Sequence, residues 1–214
     1  MREYVKINRA VYNKVARAYD KKSVNFEKDY VFMLKPFQKR LRGSFGNGAS
    51  VMHLGCGSGL DMGIMAKEGF NVSGFDVSEK MASIAKSNVP QANIIVGDFL
   101  SKRIGARFDG VVMFAFLHLF KKEDALLVAK KAIALLKPGG YCIICTDMGR
   151  KPMEGYEQKK TYKAKAVRYR KVWTEKELNG LAKSLTGTGV VDFYTKDIPY
   201  YQTRWMALIL RKEK

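Results

Sequence analysis

Residues 50–59 read Ser50-Val51-Met52-His53-Leu54-Gly55-Cys56-Gly57-Ser58-Gly59. An apolar run of strand length passes directly into glycines at alternate positions, the pattern of a buried strand ending in a tight turn. Glycine there lets the backbone turn sharply and come close to a ligand. The helix expected next directs its positive end at that ligand. Moving outward, LDMGIMAKEG (60–69) reads as that helix, closed by Gly69. NVSGFD (71–76) is a second strand ending in an acid, and Ser78 is a plausible N-cap for the helix SEKMASIAKSN (78–88). NIIVGD (93–98) is a third strand, and FDGVVMFAFLHLF (108–120) contains a fourth. DALLVAKKAIALL (124–136) is a helix, expected to stop at Pro138 and the Gly139-Gly140 turn, and YCIICTDM (141–148) is a fifth strand. Strands that alternate with helices imply a mostly parallel sheet covered on both faces.

The two ends complete the pattern. Residues 4–19 carry apolar side chains at helical spacing with basic ones between them, and 26–42 reads as a second helix interrupted near Pro36. Residues 150–172 are basic, rich in tyrosine and without a clear period. Thr174 with Glu177 three residues later is a capping box opening a helix over 174–185. VVDFYTKDI (190–198) and RWMALILRK (204–212) are two strands too close in sequence for a helical crossover, so they should pair antiparallel. The expected fold is α/β and Rossmann-like: a mostly parallel seven-stranded sheet with a C-terminal antiparallel hairpin and helices on both faces. One domain spans 1–214, made of a helical cap (1–45), a ligand-binding core (46–149), a basic insertion (150–176) and a C-terminal helix and hairpin (177–214).

Composition narrows the class. The formal net charge of +19 is uneven: residues 1–45 contribute +8 and 150–176 contribute +7. No apolar run reaches the roughly 18 residues of a membrane span, and MREYVKINRA has no signal-like apolar core, so a cytoplasmic protein without a membrane partner is expected. Cys142 and Cys145 form a C-x-x-C inside an apolar strand, with no second pair to complete a zinc site; a buried strand is the simpler reading, and no metal is expected.

The chemistry lies at the strand ends. Asp76 stands 21 residues beyond Gly55, where an acid in a Rossmann-like unit accepts both hydroxyls of a ribose. The glycines follow G-x-G-x-G, whereas a dinucleotide enzyme more typically shows G-x-G-x-x-G. Asp98 can accept from an adenine amino group, and Phe99 can stack on its ring. In order and spacing, LGCGSG, GFDVSEKM, GDF, FDGVVMFAFLHLF and LLKPGG resemble the motif series of the class I S-adenosylmethionine (SAM)-dependent methyltransferases. The resemblance covers nearly the whole chain. Tyr19-Asp20, the stretch ending in His118 and the strand from Arg204 to Lys212 are similar to the type 11 and type 25 methyltransferase domains, where Leu60-Asp61 stands in place of a frequent Arg-Asp. The resemblance implies SAM as cofactor and S-adenosylhomocysteine as product. Gly55, Cys56, Gly57 and Ser58 would line the methionine end, and Asp61 would face its amino group. Asp76 would hold the ribose, with Val77 and Met81 beside the adenine and Asp98 and Phe99 at its edge. Phe114 would approach the sulfonium, and Tyr19 would close the pocket.

The acceptor is less legible. His118 is either a general base or a histidine capping the strand end, and His53 reads as core. Tyr12, Tyr19 and Phe116 form an aromatic wall or simple helix packing. Asp147 reads as a turn acid and Trp205 as core. Arg168, Tyr169, Arg170 and Trp173, like Lys160, Tyr162 and Lys163, interleave cations with aromatics. That suits phosphates and stacked bases, or a small anionic acceptor clamped by arginine. RNA such as tRNA is therefore weakly favoured as acceptor through Arg168 and Arg170. A small-molecule methyltransferase, a methyltransferase of another protein and a SAM- or nucleic-acid-binding module without turnover are the alternatives.

Overall fold

The computed structural model describes residues 1–158, 166–199 and 203–214. Two N-terminal helices, α1 (Glu3–Ser23) and α2 (Glu27–Phe45), precede the strands β1 (Ser50–Leu54), β2 (Asn71–Asp76), β3 (Asn93–Val96), β4 (Phe108–Phe114) and β5 (Leu136–Met148). Between these strands run α3 (Leu60–Lys67), α4 (Glu79–Asn88) and α5 (Lys122–Ala134). Then come β6 (Met153–Gln158), β7 (Val167–Val172), α6 (Glu175–Lys183), β8 (Thr188–Ile198) and β9 (Thr203–Lys212). Seven strands form one sheet in the order β3-β2-β1-β4-β5-β9-β8. All pairs from β3 to β5 are parallel, while β9 runs antiparallel to both β5 and β8. This is the mixed sheet with a closing hairpin that the strand pattern implies.

Strand alternation divides the core into two layers. Met52, Leu54, Val111, Met113, Cys142 and Ile144 pack with α5 and α6, whereas Val51, Val112, Phe114, Ile143 and Cys145 pack with α2, α3 and α4. All seven residues of β4 are buried, as expected for a parallel strand covered on both faces. The two strand cysteines therefore point into opposite layers and cannot converge on one metal. Burial pushes both thiols up, as for inert core side chains.

Local signals place the helix starts. Ser78 accepts from the Met81 N–H, and Thr174 and Glu177 complete the capping box. Three expectations change. The helix α2 continues through Pro36, anchored by the buried Leu34, Phe37 and Leu41; the carbonyl that loses its partner belongs to Phe32, which is exposed. The helix α5 ends at Ala134, before Pro138, and Pro138, Gly139 and Gly140 lie inside β5. A register shift between Phe108 and Gly110 absorbs the extra residues there. Finally, the stretch without a clear period contains an antiparallel ribbon, β6 with β7, whose inward positions include Tyr169 and the fully buried Lys171. The expected pattern at Lys160, Tyr162 and Lys163 lies outside the described residues.

Candidate active site

Strand order reverses between β1 and β4, and a crevice outside the strand ends is expected at such a point. A cavity of about 490 Å³ opens there. Its floor is the glycine turn. Gly55 and Gly57 hold φ of +71° and +53°. A Cβ on Gly55 would lie 2.5 Å from Phe116 Cδ2, so only glycine lets the aromatic ring close over the turn. Tyr19 of α1 lies over Gly57.

Asp76 ends β2 facing this turn. Its Oδ2 accepts from the Gly57 N–H at 2.9 Å and its Oδ1 from the Ser78 N–H at 2.8 Å. Burial pushes its carboxyl up to about 6, against those two bonds, which favour the charge. Each oxygen keeps lone-pair capacity for a further donor, and a vicinal diol would supply two. Val77 and Met81 line the cavity beside Asp76. A small annexe behind Gly55 is lined by Cys56, Ser58, Asp61 and Tyr19. Ser58 Oγ is buried there without a partner among the described residues. Asp61 accepts from the Met62 N–H and lies 3.3 Å from His53 Nδ1, so His53 is a core residue behind the site. Burial, with Asp76 and Asp61 adding to it, keeps the Cys56 thiol protonated.

Asp98 and Phe99 depart from their expected places. Phe99 is buried in the core, edge-on to Phe75 at 5.5 Å and to Phe116 at 5.6 Å, and offers no face to a ligand. Asp98 Oδ1 accepts from the Leu100 N–H and caps its own loop. Neither lines the cavity. The loop turns both side chains inward just after β3, a direction that spacing does not encode.

The far half of the cavity lies beneath α1 and the ribbon. Ala115, at φ +51°, turns the chain from β4 into a single 3₁₀ turn (Leu117–Leu119), an unfavourable conformation for a non-glycine residue. That turn places Phe116 over Gly55 and His118 in the cavity wall. His118 Nδ1 lies 3.7 Å from Asp147 Oδ1, and Asp147 Oδ2 pairs with Arg170. Arg168 donates to Tyr12 Oη at 2.8 Å and through Nε and Nη2 to Glu157 Oε1. Glu157 also pairs with Arg170 at 3.3 Å. Burial pushes the Asp147 carboxyl up while Arg170 pulls it down, with a net rise. Burial works against the Arg168 charge, but Tyr12 and Glu157 outweigh it and hold the guanidinium protonated.

Tyr12, Tyr19, Phe114, Phe116, His118, Arg168 and Arg170 thus meet in one cavity, as expected. Asp147, read as a turn acid, is a cavity residue, because β5 carries it to the strand end beside His118. Trp205 packs on Phe114 at 5.2 Å and also forms wall. Asn8, Tyr30 and Glu157 went unread. Only the opposed charges of Glu157 and Arg168, which face each other in the ribbon, could have flagged the last. The two arginines are side chains only 11% and 22% exposed, each matched by a carboxylate, so they are not an open cationic surface.

A family model for a methyltransferase domain matches residues 51–140. The chain is 28% identical over 131 residues to a dTDP-3-amino-3,4,6-trideoxy-alpha-D-glucopyranose N,N-dimethyltransferase of Streptomyces venezuelae, covering 60% of this chain and 55% of that one. It is 31% identical over 105 residues to a ubiquinone biosynthesis O-methyltransferase of Coxiella burnetii, covering 46% and 44%. The chain thus spans about half the length of the curated relatives it matches. Among solved structures, the 1,6-didemethyltoxoflavin-N1-methyltransferase of Burkholderia thailandensis, with its substrate and S-adenosylhomocysteine bound, shares the fold at a TM-score of 0.75 and 20% identity, covering 99% of this chain and 90% of that one. Residues 51–140 thus match a methyltransferase domain, and the whole chain shares the fold of that solved methyltransferase.

Proposed function

We propose that this protein binds SAM and transfers its methyl group to a small molecule held under α1 and the β6–β7 ribbon. The observation that carries the reading is the continuity of one cavity from the buried Asp76 carboxylate to the His118–Asp147 pair. The residues present fit the cofactor. Asp76 accepts from the ribose hydroxyls, Val77 and Met81 flank the base, and the glycine turn with Ser58 and Asp61 takes the methionine end. Bound SAM supplies an already activated methyl group, so the chain's work is alignment and exclusion of water.

The relatives named above act, by their names, on an amino sugar, a ubiquinone precursor and a toxoflavin precursor, which supports a small acceptor. Three of the basic residues behind the RNA reading, Arg168, Arg170 and Lys171, turn inward onto Glu157, Asp147 and Glu177, which weighs toward a small acceptor. Among the described residues no helix is long and apolar enough to cross a membrane.

The test uses methyl-labelled SAM with host extract, separated into small-molecule, RNA and protein fractions. Label in the small-molecule fraction, lost in Asp76→Ala, is the expected result. Label in RNA, falling by orders of magnitude between about 50 and 200 mM salt as phosphate contacts are screened, would overturn it.

A further inference from the structure

We propose that Asn8 is a positioning residue for the acceptor half of the site: its side-chain amide takes the place of a neighbouring strand at Tyr169 and sets the register of α1 against the cavity wall. The inference rests on the methyl-transfer reading above and deepens it. A side-chain amide carries the same kinds of donor and acceptor as a peptide group. Asn8 Oδ1 accepts from the Tyr169 N–H at 2.8 Å, and Asn8 Nδ2 donates to the Tyr169 carbonyl at 3.2 Å. On its other edge β7 pairs with β6, so the amide meets Tyr169 as a second strand would. A third bond runs from Nδ2 to the Leu119 carbonyl at 3.4 Å, in the 3₁₀ turn. Asparagine is a poor helix former and is seldom buried, yet this one is 3% exposed inside α1. Its bonds to Tyr169 and Leu119 account for its place there.

Each group that Asn8 holds stands beside a residue lining the cavity. Arg168 precedes Tyr169, His118 precedes Leu119, and Tyr12 lies one helical turn beyond Asn8. Arg168 donates to Tyr12 Oη at 2.8 Å, and that contact depends on the register. A slip of α1 by one residue would shift Tyr12 by about 1.5 Å and turn it by about 100°. Asn8 also lines the cavity, but its donors are engaged by the two carbonyls, so it acts through these neighbours. The cofactor side of α1 is fastened separately. Asn13 Oδ1 accepts from Ser78 Oγ at 2.6 Å and from the Lys80 N–H at 3.1 Å, and Arg9 pairs with Glu79. Removing the Asn8 amide therefore frees α1 from the ribbon and leaves it held at α4.

Asn8→Leu removes all three bonds, keeps a side chain of similar size and raises helix propensity, so α1 itself is not weakened. The assay takes methyl-labelled SAM with the small-molecule fraction of host extract as acceptor. The rate at limiting extract should fall at least about tenfold as the wall loses its alignment. The KM for SAM and the calorimetric affinity for S-adenosylhomocysteine should stay within about twofold of wild type. A general loosening of the fold would move both, so a parallel rise in the KM for SAM, or an unchanged rate at limiting extract, would overturn the proposal. Amide hydrogen exchange reads the Asn8 bonds without any acceptor. In the wild-type protein the Tyr169 N–H should be protected about 100-fold or more over an open chain; in Asn8→Leu that protection should fall at least about tenfold while the β4 and β5 amides keep theirs. A wild-type Tyr169 amide exchanging as freely as an open strand edge would overturn the proposal even if Asn8→Leu does not fold. Failure of the wild-type protein to bind S-adenosylhomocysteine, with the Tyr169 amide protected, would instead strike the methyl-transfer reading beneath it.

Discussion

Replacing Asp76 by asparagine should stabilise the ligand-free protein while weakening its hold on SAM. The carboxyl is raised from 3.8 to about 6, chiefly by burial. In a folded chain with that value the ionised form costs about 3 kcal/mol at pH 8, above both values. Asparagine removes that cost but can accept from only one of the Gly57 and Ser78 N–H groups, giving back about 1 kcal/mol. The net gain is about 2 kcal/mol at pH 8, or a Tm rise of about 4–8 °C for a domain of this size. The sign with pH follows from the raised value. The wild-type carboxyl's contribution is most favourable below the unfolded value of 3.8 and is lost as pH rises through about 6. Near pH 4.5 the wild-type penalty shrinks to about 1 kcal/mol, so the two proteins should melt together. Scanning calorimetry of both, without ligand, at the two pH values reads this directly. A variant several degrees less stable at pH 8, or a difference independent of pH, would refute the reasoning that Asp76 is held at the expense of the fold.

Other substitutions probe the neighbouring parts. Gly55→Ala places a methyl group 2.5 Å from Phe116 in a left-handed conformation, and should cost about 3 kcal/mol with loss of SAM binding; a Tm within about 2 °C of wild type would contradict the close approach. Arg168→Ala should leave S-adenosylhomocysteine binding intact by calorimetry but cut acceptor turnover at least about tenfold, since it removes charged bonds to Glu157 and Tyr12; equal turnover would discard its role. Thr174→Ala should lower stability by about 1 kcal/mol in denaturant titration without affecting ligand binding.

Most of the fold was legible because the parallel strands are apolar, the helices periodic and the caps explicit. The ribbon was not, because an inward-facing position is Lys171, satisfied by Glu177 at 2.9 Å and lying over the Trp173 ring. A buried lysine reads as surface until its partner is known. Likewise Pro138 read as a helix stop, but it sits in a register shift that only the pairing of β4 with β5 reveals. At the site, residues fixed by a strand end or a glycine turn, such as Gly57 and Asp76, fell where spacing put them. Those that depend on a loop's direction did not. Phe99 turned into the core, and Asp147 turned toward His118. The arginines were found but their partners were not, because composition counts their charge and not the carboxylates folded against them.

The most direct test of the account is calorimetric binding of SAM to the wild-type protein and to Asp76→Asn at pH 8. The expected result is one site on the wild type, weakened at least about tenfold in the variant as charge-assisted bonds to the ribose are lost. Absence of SAM binding by the folded wild-type protein, or equal affinity in the two, would contradict the central claim.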